Sequence, residues 1–151
     1  MPNQQTYTER MRRGIPGAQA TMLPKSISSG IVEGVAGLDF GVAVERGTAE
    51  GQIKPYDGGI ILGISLRDRS IAGATTGFVD KYAQYEDARY LKNGSIGDVW
   101  VIATVAVAIG DPVFVRPSNN TFQPTNANSA IQIPGASFRT AALAGAIALV
   151  Q

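Results

Sequence analysis

Residues Phe40–Arg46 read FGVAVER, with Phe40, Val42 and Val44 alternating against Gly41, Ala43 and Glu45. Apolar residues at every second position mark a strand with one buried face. The same texture extends in both directions. Downstream, Gly47–Gly51 makes a turn, Gln52–Lys54 is a short strand and Pro55–Gly59 is a loop by its turn residues. Ile60–Arg67 (IILGISLR) is a second strand, in which Gly63 marks a bulge or a close approach of backbone. Asp68–Phe78 is a long Gly-, Thr- and Ala-rich loop, and Val79–Asp87 is loop or edge strand. Asn93-Gly94, between Ala88–Lys92 and Ser95–Thr104, is a hairpin signal, because a type I′ turn needs positive φ at both central residues. Ser95–Thr104 (SIGDVWVIAT) carries Trp100, and apolar residues on both of its faces suit a strand within a sandwich or barrel.

Pro112 opens a strand over Val113–Arg116, Thr121–Gln123 and Ala130–Ile133 are shorter ones, and Leu143–Val150 reads as a closing strand. The alanines of that last segment permit a helix, but Gly145 opposes one. Upstream, Ile27–Val35 mixes apolar residues with Ser and Gly. Eight to ten short strands punctuated by turns predict an all-β protein, an antiparallel β-sandwich or barrel. No tandem repeat, long heptad or low-complexity tract is evident. Residues 1–25 differ: polar residues with Gly14, Gly17, Pro16 and Pro24 predict an extended N-terminal arm, leaving 26–151 as a single β-domain.

Composition bears on function. The 151 residues contain no cysteine and no histidine, so thiolate nucleophiles, disulfides and the usual neutral-pH general base are absent. Hydrophobic residues make up 44% and charged residues 17%, the latter below the usual share of about 25%. Net charge is +1, which is no footprint for nucleic acid. The charge is uneven, with four basic residues against Glu9 alone in residues 1–25 and nine against eleven acids in the rest. No segment reaches the ~18 apolar residues that span a bilayer. The N-terminus lacks a signal-peptide core, so synthesis in the cytoplasm is expected.

Few positions invite chemistry. Gly34-x-x-Gly37 and Gly58-Gly59 lack the strand-to-helix context of a phosphate loop and read as turns. Glu86-Asp87 beside Tyr85 and Tyr90 could serve a sugar hydrolase, but a solvated charge pair at a loop edge is the better reading. Tyr82, Tyr85 and Tyr90 together would form the platform of a carbohydrate-binding or host-attachment domain, the alternative reading. The acids are too sparse for a calcium loop, and no metal, cofactor or catalytic set is expected. Arg10, Arg12 and Arg13 suit bidentate contacts to surface carboxylates, and Arg67-Asp68-Arg69 suits a charged rim.

Taken in order, several motifs resemble one family. They are Arg12-Arg13-Gly14-Ile15-Pro16-Gly17, Phe40–Gly47, Leu62-Gly63-Ile64-Ser65-Leu66-Arg67, Gly97-Asp98-Val99-Trp100-Val101, Ala108–Val115 and Ala146–Val150. This course is similar to that of the tailed-bacteriophage structural cement, or head-decoration, proteins. The resemblance runs from about Arg10 to the C-terminus and leaves Thr75–Asp87 unmatched. It implies a jelly-roll-like β body with an N-terminal arm, no enzymatic activity, and a place on the outer surface of the virion. Its implied partners are the major capsid protein, whose neighbouring capsomers it bridges, and itself, as a homodimer or homotrimer, with neither nucleic acid nor membrane. Arg10, Arg12, Arg13, Ile15 and Pro16 are then the arm's contact residues, and Arg67 and Arg69 candidate rim contacts.

Overall fold

The computed structural model describes residues 13–68, 81–117 and 119–151. These residues form an all-β structure. The first seven strands are β1 (Ile27–Val32), β2 (Leu38–Asp39), β3 (Ala43–Arg46), β4 (Gln52–Pro55), β5 (Ile61–Ser65), β6 (Lys81–Tyr82) and β7 (Asp87–Lys92). Five of them close a barrel in the order β1-β4-β3-β5-β7. Its pairings are antiparallel except for β1 with β4, which run parallel. β2 and β6 pair as a short separate ribbon.

The alternation at 40–46 is real but belongs to two elements. Gly41, at φ 72°, breaks the run, so that β2 ends at Asp39 and β3 begins at Ala43. Val44 turns into a cluster with Val32, Ile53, Ala88 and Tyr90, while Ala43 faces a second, larger cluster. Gly63 fulfils both expectations for it. Register slips between its pairing with Val44 and the next pair, Glu45 with Ile61, so Leu62 is the extra residue of a bulge. A Cβ at Gly63 would also lie 1.9 Å from the Leu91 carbonyl oxygen.

The remaining strands are β8 (Val99–Ile102), β9 (Pro112–Val115), β10 (Phe122–Gln123), β11 (Ile131–Ser137) and β12 (Ile147–Val150). The closing segment is thus a strand, as expected. The Asn-Gly hairpin is not formed. β7 pairs with β1 and β5, whereas β8 pairs with β12. Only Gly94 has positive φ (82°), and Ser95 N donates to Lys92 O at 3.0 Å. One positive φ at the third position makes a type II-like turn, which sends the chain into a new sheet rather than back along β7.

Although the sequence shows no repeat, the fold is one. β9 pairs with β10 and β11, and β12 pairs with β8, all antiparallel. Bridges from Phe138 to Val150 and, in parallel sense, from Ala103 to Phe122 complete the circuit β8-β10-β9-β11-β12. That is the connectivity and polarity of the first barrel, including its single parallel contact. The Val107–Ala142 bridge repeats the β2–β6 ribbon.

Individual hydrogen bonds recur too. Tyr85 N donates to Val32 O at 2.9 Å, and Gly145 N to Ala103 O at 2.8 Å. Gly41 N donates to Ser65 O at 3.0 Å, and Gly110 N to Phe138 O at 2.8 Å. Glu33 N donates to Ile53 O at 3.0 Å, and Thr104 N to Phe122 O at 2.8 Å. Both members of the pairs Gly41/Gly110 and Tyr85/Gly145 have positive φ.

The two units share a core. The larger cluster joins Ala43, Ile64 and Leu91 of the first barrel to Val101, Val113, Phe122, Phe138 and Val150 of the second. Strands of the first barrel are therefore buried on both faces, Val44 and Tyr90 inward, Ala43 and Leu91 against its twin.

Candidate functional site

Of the seven candidate contact residues, Arg10, Arg12 and Arg69 lie outside the described residues. Of the other four, Arg13, Ile15 and Pro16 belong to a segment that lies against β8, and Arg67, just after β5, bonds that segment. Gly17 N donates to Trp100 O at 2.8 Å, and Trp100 N to Ala18 O at 2.9 Å. Asp98 holds the segment's end. Its Oδ1 accepts Ala20 N (3.2 Å) and Thr21 N (3.1 Å), and its Oδ2 accepts Thr21 Oγ1 at 2.7 Å. Gly14 leaves room for the Trp100 ring, since a Cβ there would lie 2.3 Å from Trp100 Cδ1. Asp98 and Trp100 are only 4% and 3% exposed under this cover.

Arg13 lies at the start of the segment. Its Nη1 and Nη2 donate to the carbonyls of Ile147 (3.4 Å) and Ala141 (3.3 Å), and its side chain remains exposed. Ile15 is half exposed beside it. Pro16 and Arg67 meet directly: Arg67 Nε donates to Pro16 O at 3.4 Å and Arg67 N to Gly17 O at 2.8 Å. The Arg67 guanidinium lies 4.8 Å from the centre of the Phe40 ring, a cation–π contact. Pro16, Asp39, Phe40, Arg67, Ile102 and Asn120 line a shallow cleft of about 350 Å³. Residues far apart in sequence thus meet around this cleft, where Arg67 is held by Pro16, Gly17 and the Phe40 ring.

The tyrosine platform does not form. Tyr82 is fully buried, its hydroxyl donating to Leu66 O at 2.6 Å and its ring edge-on to Phe40 at 5.0 Å. Tyr90 is buried in the first barrel, and only Tyr85 faces solvent. Glu86 Oε2 accepts Ala83 N at 2.7 Å, a local turn bond. No group of three potential metal ligands occurs among the described residues. No helix there is long and apolar enough to cross a membrane.

Sequence reasoning missed two features. Phe40 reads in the sequence only as a strand residue, and its place under Arg67 depends on a pairing that no local signal reveals. The outward row Ile27, Ser29 and Ile31 on β1 is exposed along its length, with Ile27 at 43% and Ile31 at 45%. The sequence there, apolar residues mixed with Ser and Gly, carries no period-2 signal that marks this row.

The comparisons with known proteins agree with one another. A family model described as structural cement protein (E217 gp24/Pam3 gp6) matches residues 3–151. Among solved structures, a chain described as the capsid of Myoviridae phage XM1 superposes with a TM-score of 0.68. It covers 100% of this chain and 97% of its own length at 18% identity, a likeness of fold. No curated protein sequence matches.

Proposed function

Since the chain belongs to the phage structural cement protein family, we propose that it binds the outer surface of the phage head and bridges neighbouring subunits of the major capsid protein lattice. The observation that carries this reading is the family match, which extends over nearly the whole chain. The physics of the molecule supports it. Two barrels fused through one core make a stiff body, and stiffness is what a strut needs. A ligand that binds only the assembled shell stabilises it by mass action, and contacts to two subunits at once add through effective concentration.

In this reading Arg13, Ile15, Pro16 and Arg67, together with Arg10, Arg12 and Arg69, are the residues that contact the shell. Arginines there would pair with carboxylates of the capsid protein, and Ile15 would be covered. The protein performs no reaction, and copies associate as a homodimer or homotrimer.

Quantitative mass spectrometry of purified virions tests the assignment. It should find the chain in hundreds of copies per particle; a handful of copies would remove the cement role. Light scattering on the isolated protein then gives the number of chains per assembly.

A further inference from the structure

The repeat exposes a difference between the ends of the two barrels. In the first, the β2–β6 ribbon pairs buried Leu38 with buried Tyr82. Next to them Asp39 pairs with Lys81, and their charges meet at 3.4 Å. In the second barrel Val107 and Ala142 are the buried pair, and Ala108 and Ala141 stand where Asp39 and Lys81 stand in the first. The matching residues Gly41 and Gly110, and Tyr85 and Gly145, lie three residues beyond the buried pairs in both barrels, which fixes this alignment. The same backbone thus carries an ion pair at one end and two alanines at the other, so the fold itself does not demand the loss of charge.

The loss extends over the whole second ribbon. Residues 105–110 (VAVAIG) and 141–145 (AALAG) contain only Ala, Val, Ile, Leu and Gly. All but Val107 and Ala142 are exposed, with Ile109 at 72% and Leu143 at 76%. An apolar surface of this kind marks a contact with another protein. Its two edges are charged, and oppositely. Val107 N donates to Ala142 O at 2.9 Å and Ala142 N to Val107 O at 3.1 Å, so the residues beside them direct their N–H and C=O groups away from the paired strand. Ala141 O accordingly meets Arg13 Nη2 at 3.3 Å on one edge, and Ala108 N meets Asp111 Oδ2 at 2.8 Å on the other. Neither Arg13 nor Asp111 enters an ion pair among the described residues.

We infer that this ribbon is the contact between two copies of the chain, which meet face to face about a two-fold axis running along it. Such an axis exchanges the two edges, so Arg13 of each copy faces Asp111 of the other. The uncharged strip between them meets its own image without repulsion, and Ile109 and Leu143 are covered. This self-complementarity is what selects a second copy as the occupant. The inference rests on the self-association proposed above and deepens it, because a contact of this symmetry closes with two copies and not three. It also moves Arg13 from the shell to the copy–copy contact, leaving the other arginines to the shell.

Light scattering and sedimentation equilibrium on the full-length protein test this. The wild type should be a dimer. Leu143→Asp puts two carboxylates beside the axis at an exposed position, so it should fold with an unchanged circular dichroism spectrum and dissociate at least about tenfold more readily. Arg13→Asp and Asp111→Arg each set like charges against one another and should weaken the dimer, and the double exchange should restore it. Failure of the double exchange would overturn the two-fold arrangement. A wild-type monomer or trimer would overturn the contact, as would a dimer that Leu143→Asp leaves intact. Should that intact dimer have lost binding to capsid shells lacking the protein, the ribbon belongs to the shell protein instead. Shell binding by the wild type separates the two readings: a monomer that binds shells keeps the cement role without this contact, and a dimer that does not bind keeps the contact without the cement role.

Discussion

Glu45 shows how a single charged side chain shapes the first barrel. It is only 5% exposed, yet fully engaged. Oε2 accepts Asp57 N (3.1 Å) and Gly59 N (2.7 Å), and Oε1 meets Lys54 Nζ at 3.2 Å. Burial pushes the carboxyl's pKa up, but the two backbone donors and Lys54 together outweigh it, so the group titrates below its ordinary 4.5. A depressed folded-state pKa stabilises the fold above the unfolded value, and that stabilisation is lost as pH falls through the folded one. Thermal midpoints of the wild type should therefore drop more steeply below pH 4.5 than those of Glu45→Gln, and parallel curves would discount the clamp. Tyr56, beside it, is buried with a hydroxyl that meets no partner among the described residues. Tyr56→Phe removes an unsatisfied group and should raise stability, by up to about 1 kcal/mol in urea titration. Gly63 tolerates no side chain, because Leu91 O occupies the Cβ position. Gly63→Ala should lower stability by about 3 kcal/mol or more, in the range of overpacking that forces backbone to move.

At the scale of elements, the segment 13–21 is fastened chiefly through Trp100 and Asp98. Trp100→Ala should cost roughly 3–5 kcal/mol as a large buried aromatic. Asp98→Ala should cost roughly 2–3 kcal/mol, since a buried charged acceptor serves three donors. Limited proteolysis separates the two effects: Asp98→Ala should expose residues 14–21 to cleavage while the barrels stay intact, and an unchanged cleavage pattern would show that the bonds to Trp100 and Arg67 hold the segment without Asp98. What was legible in the sequence follows a pattern seen here. Strands at Gln52–Lys54, Ile60–Arg67, Ser95–Thr104 and Leu143–Val150 were readable because apolar, β-favouring runs between turn residues are local signals. Partners were not, because pairing is decided across long separations: Asn93-Gly94 carries a hairpin's residues but joins two sheets. Of the candidate site, the Arg67–Pro16 contact was unreadable for the same reason, although each residue was singled out separately.

At the scale of the whole molecule, the described residues repeat one strand connectivity in two barrels that share little sequence. Gly63-Ile64-Ser65-Leu66-Arg67 and Gly135-Ala136-Ser137-Phe138-Arg139 share Gly, Ser and Arg at one spacing but stand one residue out of structural step, since Ser65 and Phe138 hold the matching bonds. Elsewhere the chemistry changed while the ladder persisted. The Glu45–Lys54 pair of the first barrel stands where Phe114 and Gln123 face one another in the second. Hydrogen bonds between backbones tolerate such exchange because they ask nothing of the side chain. The halves also differ in packing, since the larger cluster takes in Ala43, Ile64 and Leu91 of the first barrel as one wall beside the second. Neither barrel can then be removed without exposing that wall. The two should unfold in one step despite their separate ladders, with calorimetric and van't Hoff enthalpies equal. Gly63→Ala offers the discriminating case, because its clash lies in the first barrel alone. A shared core requires the transition to stay single and move to lower temperature as a whole. Two resolved transitions in the variant, with the second unmoved, would mean that the barrels are merely adjacent and that the strut they form can hinge between them.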